Sequence, residues 1–182
     1  MRIIGGRYKG KRIAPPREIV ARPTTDFAKE ALFNILQHSI PLEGIRVLDL
    51  FAGAGGISLE FLSRGAAEVV SVEQDRMLYG HLQRTARDMA IDNWRLAKAD
   101  VFTFLDADRG QYDLIFADPP FHLPETAGLP AHIRGRGLLA PDGLLIVEHY
   151  KTLDLSADPW FDVGRKYGNI HFSFFTPKEG QP

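Results

Sequence analysis

The chain has 182 residues, no cysteine and a formal net charge of −1. This length suits one domain with a sizeable buried core, and the absence of cysteine excludes a disulfide framework, a thiolate metal site and a cysteine nucleophile. Because no apolar run is long enough to span a bilayer and the amino terminus lacks a signal-peptide core, we expect a cytoplasmic protein without a membrane partner.

The first thirty residues are basic although the whole chain is nearly neutral. They contain eight Lys and Arg but only three Asp and Glu, a local charge of +5 that leaves −6 for the remainder. A basic arm on a mildly acidic body is typical of an enzyme that binds a polyanion through one appendage. A solvated surface hairpin is the open alternative. The candidate nucleic-acid contacts are Arg2, Arg7, Lys9, Lys11, Arg12 and Arg22.

The segment before the main body is predicted to be an arm followed by a helix. Residues 2–14 alternate short apolar and basic side chains between glycines, which predicts a small hairpin or an extended arm. Prolines then keep residues 15–23 extended. Thr24 or Thr25 can cap a helix, which should end near Ser39 because a proline follows soon after.

From residue 45 the pattern alternates strands and helices, which is typical of a doubly wound parallel sheet. The predicted strands are 45–50, 68–73, 95–99, 112–117 and 144–147. Four helices are predicted between these strands. The first ends at Gly65, the second runs from a cap at Asp75 to about Ile91, the third covers 101–105 and the fourth lies around 129–139. A turn is predicted at Pro141-Asp142-Gly143. A final hairpin of residues 161–166 and 170–176 should complete one sheet edge. We therefore predict one domain over 1–182, with the arm in 1–24 and the α/β core in 25–182.

A glycine-rich turn, Asp49-Leu-Phe-Ala-Gly53-Ala-Gly55-Gly56, joins the first strand to a helix, so that backbone can approach a ligand closely. Glu73 lies 18 positions beyond Gly55, where an acid accepts both hydroxyls of an adenosine ribose. A dinucleotide fingerprint would need a glycine where Ser58 stands. Asp49 would repel pyrophosphate but suit the ammonium and sulfonium of S-adenosylmethionine. The pattern favours that cofactor, with tight packing of the turn as the alternative.

A third acid, Asp100, follows the third predicted strand. Its carboxylate could accept a hydrogen bond from the adenine amino group, with Val101 covering the ring, or it could cap the next helix. The candidate cofactor residues are Asp49, Phe51, Gly53, Gly55, Glu73, Gln74, Asp100 and Val101. No two histidines have a metal-ligand spacing, so we expect no metal site.

The sequence Asp118-Pro119-Pro120-Phe121 closes the apolar run 112–117, which is predicted to be a buried central strand. Two prolines cannot continue a hydrogen-bonded ladder, so the strand must stop at Asp118, where open α/β sheets bind ligands. Asp118 and the Pro119 carbonyl could hold an amino group while Phe121 stacks on a flat base. These four residues are the candidate catalytic group, and a turn-stabilising Asp is the alternative.

Six stretches distributed along the chain are informative together. They are Arg2-Ile-Ile-Gly-Gly6, Arg22-Pro-Thr-Thr-Asp26, Lys29-Glu-Ala-Leu-Phe-Asn-Ile-Leu36, Asp49-Leu-Phe-Ala-Gly53, Ser63-Arg-Gly-Ala66 and Asp118-Pro-Pro-Phe121. With them the chain resembles the RsmD family of bacterial ribosomal RNA methyltransferases over nearly its whole length. The second and third stretches are the most specific.

The resemblance implies a Rossmann-like class I methyltransferase fold, a mostly parallel seven-stranded sheet with helices on both faces and an antiparallel carboxyl-terminal strand. It implies methyl transfer from S-adenosylmethionine to the exocyclic N2 of a guanine in 16S rRNA. The expected partner is 16S rRNA or the assembling small ribosomal subunit, and the expected state is a monomer without metal. Asp118 and the Pro119 carbonyl would localise the amino lone pair, and Phe121 would stack on a base taken out of the RNA.

Three other functions share parts of this pattern. An adenine-N6 DNA methyltransferase uses the same tetrapeptide and fold, but no inserted DNA-reading domain is evident. An NAD-dependent oxidoreductase is disfavoured by Ser58 and by the lack of an acid/base pair for hydride transfer. A catalytically idle RNA-binding module is disfavoured by intact Asp118, Gly53, Gly55 and Glu73.

Overall fold

A computed structural model describes residues 1–16 and 26–178 of the protein. Its strands are β1 (Arg46–Leu50), β2 (Glu68–Val72), β3 (Trp94–Ala97), β4 (Tyr112–Ala117), β5 (Leu139–Tyr150), β6 (Phe161–Tyr167) and β7 (Ile170–Phe175). They form one sheet in the order β3-β2-β1-β4-β5-β7-β6. The first five strands pair in parallel, and β7 runs antiparallel to both β5 and β6. The predicted fold class and the edge hairpin are confirmed.

The described helices are α1 (Asp26–Ser39), α2 (Gly56–Ser63), α3 (Arg76–Asp88), α4 (Val101–Ala107) and α5 (Leu129–Arg136), with a 3-10 helix at Pro124–Gly128. The predicted Asp75 cap is confirmed, since its carboxylate accepts from the Met77 and Leu78 N–H groups. The helix α3 ends before the predicted Ile91, because Ala90 has a φ of 51°, a left-handed conformation that stops a right-handed helix. None of these helices is long and apolar enough to cross a membrane.

Two apolar layers cover the two faces of the sheet. Strand residues such as Val47 and Phe116 point to the layer that contains α1, α2 and α3, while their neighbours Leu48 and Ile115 point to the layer with α4 and α5. This alternation follows from the two-residue period of a strand. The central strands are buried on both sides, so their carboxyl ends are the accessible part of the sheet.

The strand β5 starts earlier than predicted. The predicted turn at Pro141-Asp142-Gly143 lies inside it, where the pairing with β4 shifts from Tyr112 opposite Leu139 to Leu114 opposite Leu144. A proline has no N–H to donate, and a strand tolerates it where a bulge interrupts the ladder. The turn-forming residues therefore make a bulge within one strand.

Candidate active site

Three carboxylates meet at the carboxyl ends of the neighbouring strands β2, β1 and β4. Asp49 lies near the end of β1, while Glu73 directly follows β2 and Asp118 directly follows β4. The register places Asp49 between Ser71 of β2 and Phe116 of β4, and residues two apart on a strand share one face. The structure thus brings together three acids that the sequence singled out.

The turn after β1 has the tight backbone that its glycines predict. Phe51, Gly53 and Gly55 all have positive φ angles, of 62°, 56° and 83°, and this conformation strains a residue such as Phe51. A Cβ on Gly55 would lie 2.7 Å from Leu82 Cδ2 of α3, so this glycine is needed for packing. A Cβ on Gly53 would meet only the Phe51 carbonyl oxygen, at 4.0 Å. Gly53 therefore faces open space in which a ligand can lie.

Glu73 fixes this turn against the end of β2. Its Oε2 accepts from the Gly53 N–H and its Oε1 accepts from the Asp75 N–H, both at 2.8 Å. The side chain is buried, and burial raises the pKa of its carboxyl group. Each carboxylate oxygen has a further lone pair, so Glu73 retains acceptors for ribose hydroxyls. That role stays a prediction.

A buried chain of hydrogen bonds ends at Asp49. Trp94 Nε1 donates to Ser71 Oγ at 2.7 Å, the Ser71 and Ser58 hydroxyls lie 2.6 Å apart, and Ser58 Oγ donates to Asp49 Oδ2. Trp94 can only donate and Asp49, as a carboxylate, can only accept. The hydroxyl of Ser71 therefore donates to Ser58, and the whole chain points its donors toward Asp49.

Asp49 is almost completely enclosed, with 1% of its surface exposed. Burial raises the pKa of its carboxyl group to about 7, against the opposing hydrogen bonds from Ser58. The charges of Asp118 and Glu73 raise it further. A cluster of three acidic groups is suited to a cationic ligand and repels an anionic pyrophosphate. The three carboxyl groups therefore fit the sulfonium and ammonium of S-adenosylmethionine.

The remaining predicted cofactor residues lie at the ends of β2 and β3. Asp100 caps α4 by accepting from the Thr103 N–H at 3.0 Å, so the helix-cap alternative is confirmed. Val101 is buried in the first turn of α4, and Gln74 is exposed beside Glu73. Contacts of Asp100 and Val101 with an adenine ring stay predictions, as does the contact of Gln74 with the cofactor.

The tetrapeptide after β4 turns sharply and borders a cleft. The Pro120 carbonyl accepts from the Leu123 N–H at 2.9 Å. The Phe121 ring is 59% exposed and meets the Tyr150 ring edge-on, with centroids 3.9 Å apart. The cleft measures about 270 Å³, and His149 at the end of β5 also lines it. The predicted stacking residue thus stands at the mouth of a small concave site beside Asp118.

The amino-terminal arm is a hairpin that packs onto α2. Arg2 pairs antiparallel with Arg12, and Ile3 is buried in the core layer. Two arm N–H groups bind Ser63: that of Arg7 donates to its carbonyl and that of Tyr8 to its hydroxyl, at 2.8 and 2.9 Å. The arm therefore belongs to the folded body, and deleting it would remove structural contacts as well as charge.

A buried ion pair anchors the same arm. Glu60 of α2 accepts from the Ile4 N–H at 2.6 Å, and its Oε1 lies 3.2 Å from Lys29 Nζ. Lys29 in turn donates to the Arg2 carbonyl at 2.6 Å. The predicted basic contacts point outward, and the exposed side chains are Arg2, Arg7, Lys9, Lys11 and Arg12. Arg22 lies outside the described residues, as do the predicted caps Thr24 and Thr25.

The sequence did not indicate the buried polar groups that hold the site and the arm in place. Ser58 and Ser71 act through Asp49, and Glu60 receives the arm. Their common signal is a polar residue inside an apolar run, such as Glu60 in the helix sequence Gly-Ile-Ser-Leu-Glu-Phe-Leu-Ser. Within 1–16 and 26–178, no cluster of acids and histidines could hold a metal ion.

The chain is similar to known proteins in both sequence and structure. The model of the family described as conserved hypothetical protein 95 matches residues 1–176. Ribosomal RNA small subunit methyltransferase D of Escherichia coli K12 is 36% identical over 151 residues, which cover 81% of this chain and 74% of that protein. The structure of yhhF from Escherichia coli has a TM-score of 0.84 and 29% identity, covering 98% of this chain and 99% of that one.

A further structural neighbour carries ligands. It is the Thermus thermophilus 16S rRNA N2 G1207 methyltransferase RsmC in complex with AdoMet and guanosine, with a TM-score of 0.70 and 25% identity, covering 87% of this chain and 45% of that chain. The family model spans almost all of the sequence, and the glycine turn, the three acids and the Asp-Pro-Pro-Phe cleft occupy one sheet edge. The chain therefore belongs to the RsmD family of S-adenosylmethionine-dependent methyltransferases.

Proposed function

We propose that the protein transfers a methyl group from S-adenosylmethionine to the exocyclic N2 of a guanine in 16S rRNA. The observation that carries this proposal is the position of Asp118, which directly follows β4 beside the Asp49 and Glu73 carboxylates and immediately precedes Pro119, Pro120 and Phe121, which line the cleft. The Escherichia coli relative named for the small-subunit RNA supports the substrate class. The RsmC neighbour with bound guanosine supports the base and its N2 atom.

The cofactor would lie over the glycine turn. Glu73 would accept hydrogen bonds from the ribose hydroxyls, and Asp49 would face the positive charge of the methionine part. The open space at Gly53 leaves room for the ligand against the backbone. S-adenosylmethionine, when bound, supplies an electrophilic methyl group on a sulfonium.

The protein's own task is to make a poor nucleophile reactive. The amino lone pair of guanine is delocalised into the ring, and two acceptors on its N–H bonds would localise it. Asp118 and the Pro119 carbonyl would be those acceptors. When N2 takes the methyl group, the S–C bonding electrons would remain on sulfur, and Asp118 would accept one N2 proton and pass it to water.

The cleft beside the tetrapeptide would receive the base. Phe121 is exposed enough to stack on a guanine, and its edge-on contact with Tyr150 fixes the orientation of the ring. A base in a paired helix cannot reach such a cleft, so the guanine must leave its stack or lie in a single-stranded region. The exposed cations of the arm would bind flanking phosphates.

The proposal also covers the location, the oligomeric state and the metal requirement of the protein. Binding to 16S rRNA or to an assembling small subunit would take place in the cytoplasm. The protein would act as a single-domain monomer and use no metal, because positioning and charge suffice for the transfer of an activated methyl group.

The test is an assay with methyl-labelled S-adenosylmethionine and purified protein. The substrates are unmodified 16S rRNA, small subunits assembled from it and duplex DNA, and the products are digested to nucleosides. We expect label in N2-methylguanosine from one RNA substrate and none in DNA. Label in N6-methyladenosine would overturn the proposal. In a separate binding measurement, tighter binding of NAD than of S-adenosylmethionine would overturn it as well.

A further inference from the structure

Two adjoining clefts run along the helix α3 on the side that faces the arm. The lower cleft, of about 380 Å³, lies between residues 11–14 of the arm and the second half of α3. The upper cleft, of about 570 Å³, lies between the first half of α3 and Lys98. Arg84 and Pro16 line both clefts, so the two form one continuous groove.

Cationic side chains line this groove from end to end. They are Lys11, Arg12, Arg76, Arg84 and Lys98, and all five are exposed. Among the described residues, none of the five makes a salt bridge with an acid. Among the described residues that line the groove, Asp88 alone carries a carboxylate, whose Oδ1 lies 3.7 Å from Arg87 Nε. The groove is therefore strongly positive on a protein whose net charge is −1.

The groove leads from the arm to the cofactor edge of the sheet. Arg76 begins α3 just after Glu73, and Lys98 directly follows β3, so both lie at the carboxyl ends of the strands. Arg84 lies about 12 Å further down the helix, at 1.5 Å per residue. The groove is long enough to face several consecutive phosphates of one strand.

The groove is displaced sideways from the candidate catalytic group. The strand β3 is separated from β4 by β2 and β1, which corresponds to about 14 Å at normal strand spacing. A nucleic acid in the groove would therefore place nucleotides next to the target guanine, while the guanine itself reaches Asp118.

We infer that the groove between the arm and α3 is a second RNA-binding surface, which holds the phosphate backbone of the rRNA that flanks the target. This inference rests on the proposed function. Exposed cations without fixed acidic partners are suited to mobile phosphates, and such contacts position a substrate without reading its bases. The surface extends RNA binding beyond the arm, to Arg76, Arg84 and Lys98.

The experiment compares two matched double variants of the full chain. Arg76→Gln/Arg84→Gln removes two cations from the groove, and Arg165→Gln/Lys166→Gln removes two exposed cations from β6 at the opposite edge of the sheet. Affinity for 16S rRNA is measured at several salt concentrations. We expect the groove variant to bind more weakly and to lose about 1.4 to 1.8 from the slope of log K against log salt, at 0.7 to 0.9 per phosphate contact. The β6 variant should keep the slope of the unchanged protein.

A third variant tests the sign of the effect. Asp88→Asn removes the carboxylate from the groove and should strengthen RNA binding. Cofactor affinity and turnover at saturating RNA should be unchanged in all three variants. Equal slope losses in both double variants would overturn the inference. A loss of affinity for assembled subunits but not for naked rRNA would also overturn it, in favour of a protein partner.

The inference and the proposed function fail in distinguishable ways. If the unchanged protein methylates guanine N2 and the groove variant keeps the full salt slope, the groove is not an RNA surface although the function stands. If the unchanged protein makes no N2-methylguanosine, the proposed function falls whatever the groove variant does. A lower turnover with unchanged affinity would assign the arginines to the active site and contradict the inference.

Discussion

Asp49 shows how burial and hydrogen bonding act against each other on one side chain. Burial disfavours its charge, whereas the Ser58 hydroxyl favours it. The chain of donors from Trp94 through Ser71 and Ser58 ends on this carboxylate and offsets part of the cost of burying its charge. The packing beneath the glycine turn thus affects the charge of a residue at the candidate cofactor site.

The first prediction concerns the pH dependence of cofactor binding. The pKa of Asp49 is raised to about 7 in the folded protein. The contribution of this carboxyl group to folding stability is therefore complete below its unfolded pKa and is lost as pH rises through 7. A cationic cofactor favours the charged form, so affinity for S-adenosylmethionine should rise about tenfold from pH 6 to 8. Calorimetric titration of the unchanged protein and of Asp49→Asn measures this, since the variant retains the cofactor's own titration. Parallel pH profiles would contradict it.

The second prediction concerns Ser58, which is fully buried. Ser58→Ala leaves Asp49 without its hydroxyl donor and Ser71 without its acceptor, which should cost about 1 to 3 kcal/mol of unfolding free energy. Cofactor affinity should fall as well, because the Asp49 carboxylate is no longer fixed. Urea unfolding and calorimetry measure the two effects, with the exposed Ser39→Ala as control. If Asp49→Asn and Ser58→Ala were fully additive in cofactor binding, the two residues would act independently.

At the level of elements, the arm and α2 form one packed unit. The arm contributes Ile3 to the core and N–H groups to Glu60 and Ser63, while its cations remain at the surface. The packing contacts and the exposed cations therefore lie on different faces of the same hairpin. The two interpretations of the arm, a structural hairpin and a basic appendage, are compatible.

The third prediction tests this anchor. Glu60→Gln removes the carboxylate whose Oε1 lies 3.2 Å from the buried Lys29 Nζ, and breaking a buried pair in this way typically costs about 3 to 5 kcal/mol. We expect a loss in that range by urea unfolding, together with faster hydrogen exchange at the Ile4 N–H. Glu30→Gln, the same substitution at an exposed site of α1, should change stability by less than about 0.5 kcal/mol. Similar losses in the two variants would show that the pair does not anchor the arm.

At the scale of the whole molecule, local sequence patterns predicted the sheet and the position of the candidate site. They did not predict contacts between residues that are distant in sequence. The strand β4, the Asp75 cap and the glycine turn follow from residues adjacent in sequence. The contact of Ile4 with Glu60 joins positions 56 residues apart, and no local pattern indicates it. The bulge at Pro141 depends on how β5 pairs with β4. The sequence therefore predicts what lies at strand ends, but not the buried polar groups that hold those ends in place.

In the proposed arrangement, the acceptor for the target amine lies next to the cofactor but is not part of the cofactor site. Glu73 fixes the glycine turn, whereas Asp118 lies at the end of β4, on the other side of β1, and immediately precedes the residues that line the cleft. Removing one should therefore weaken cofactor binding, and removing the other should stop the reaction. This separation is the central claim about the molecule.

The most direct test measures N2-methylguanosine formation in 16S rRNA and S-adenosylmethionine affinity together, for the unchanged protein, Asp118→Ala and Glu73→Ala. We predict that Asp118→Ala lowers the transfer rate by about 100-fold or more, as loss of a group that stabilises the transition state does, with cofactor affinity nearly unchanged. Glu73→Ala should mainly weaken cofactor binding. Undiminished transfer by Asp118→Ala would contradict the assignment of the Asp-Pro-Pro-Phe cleft as the place of reaction.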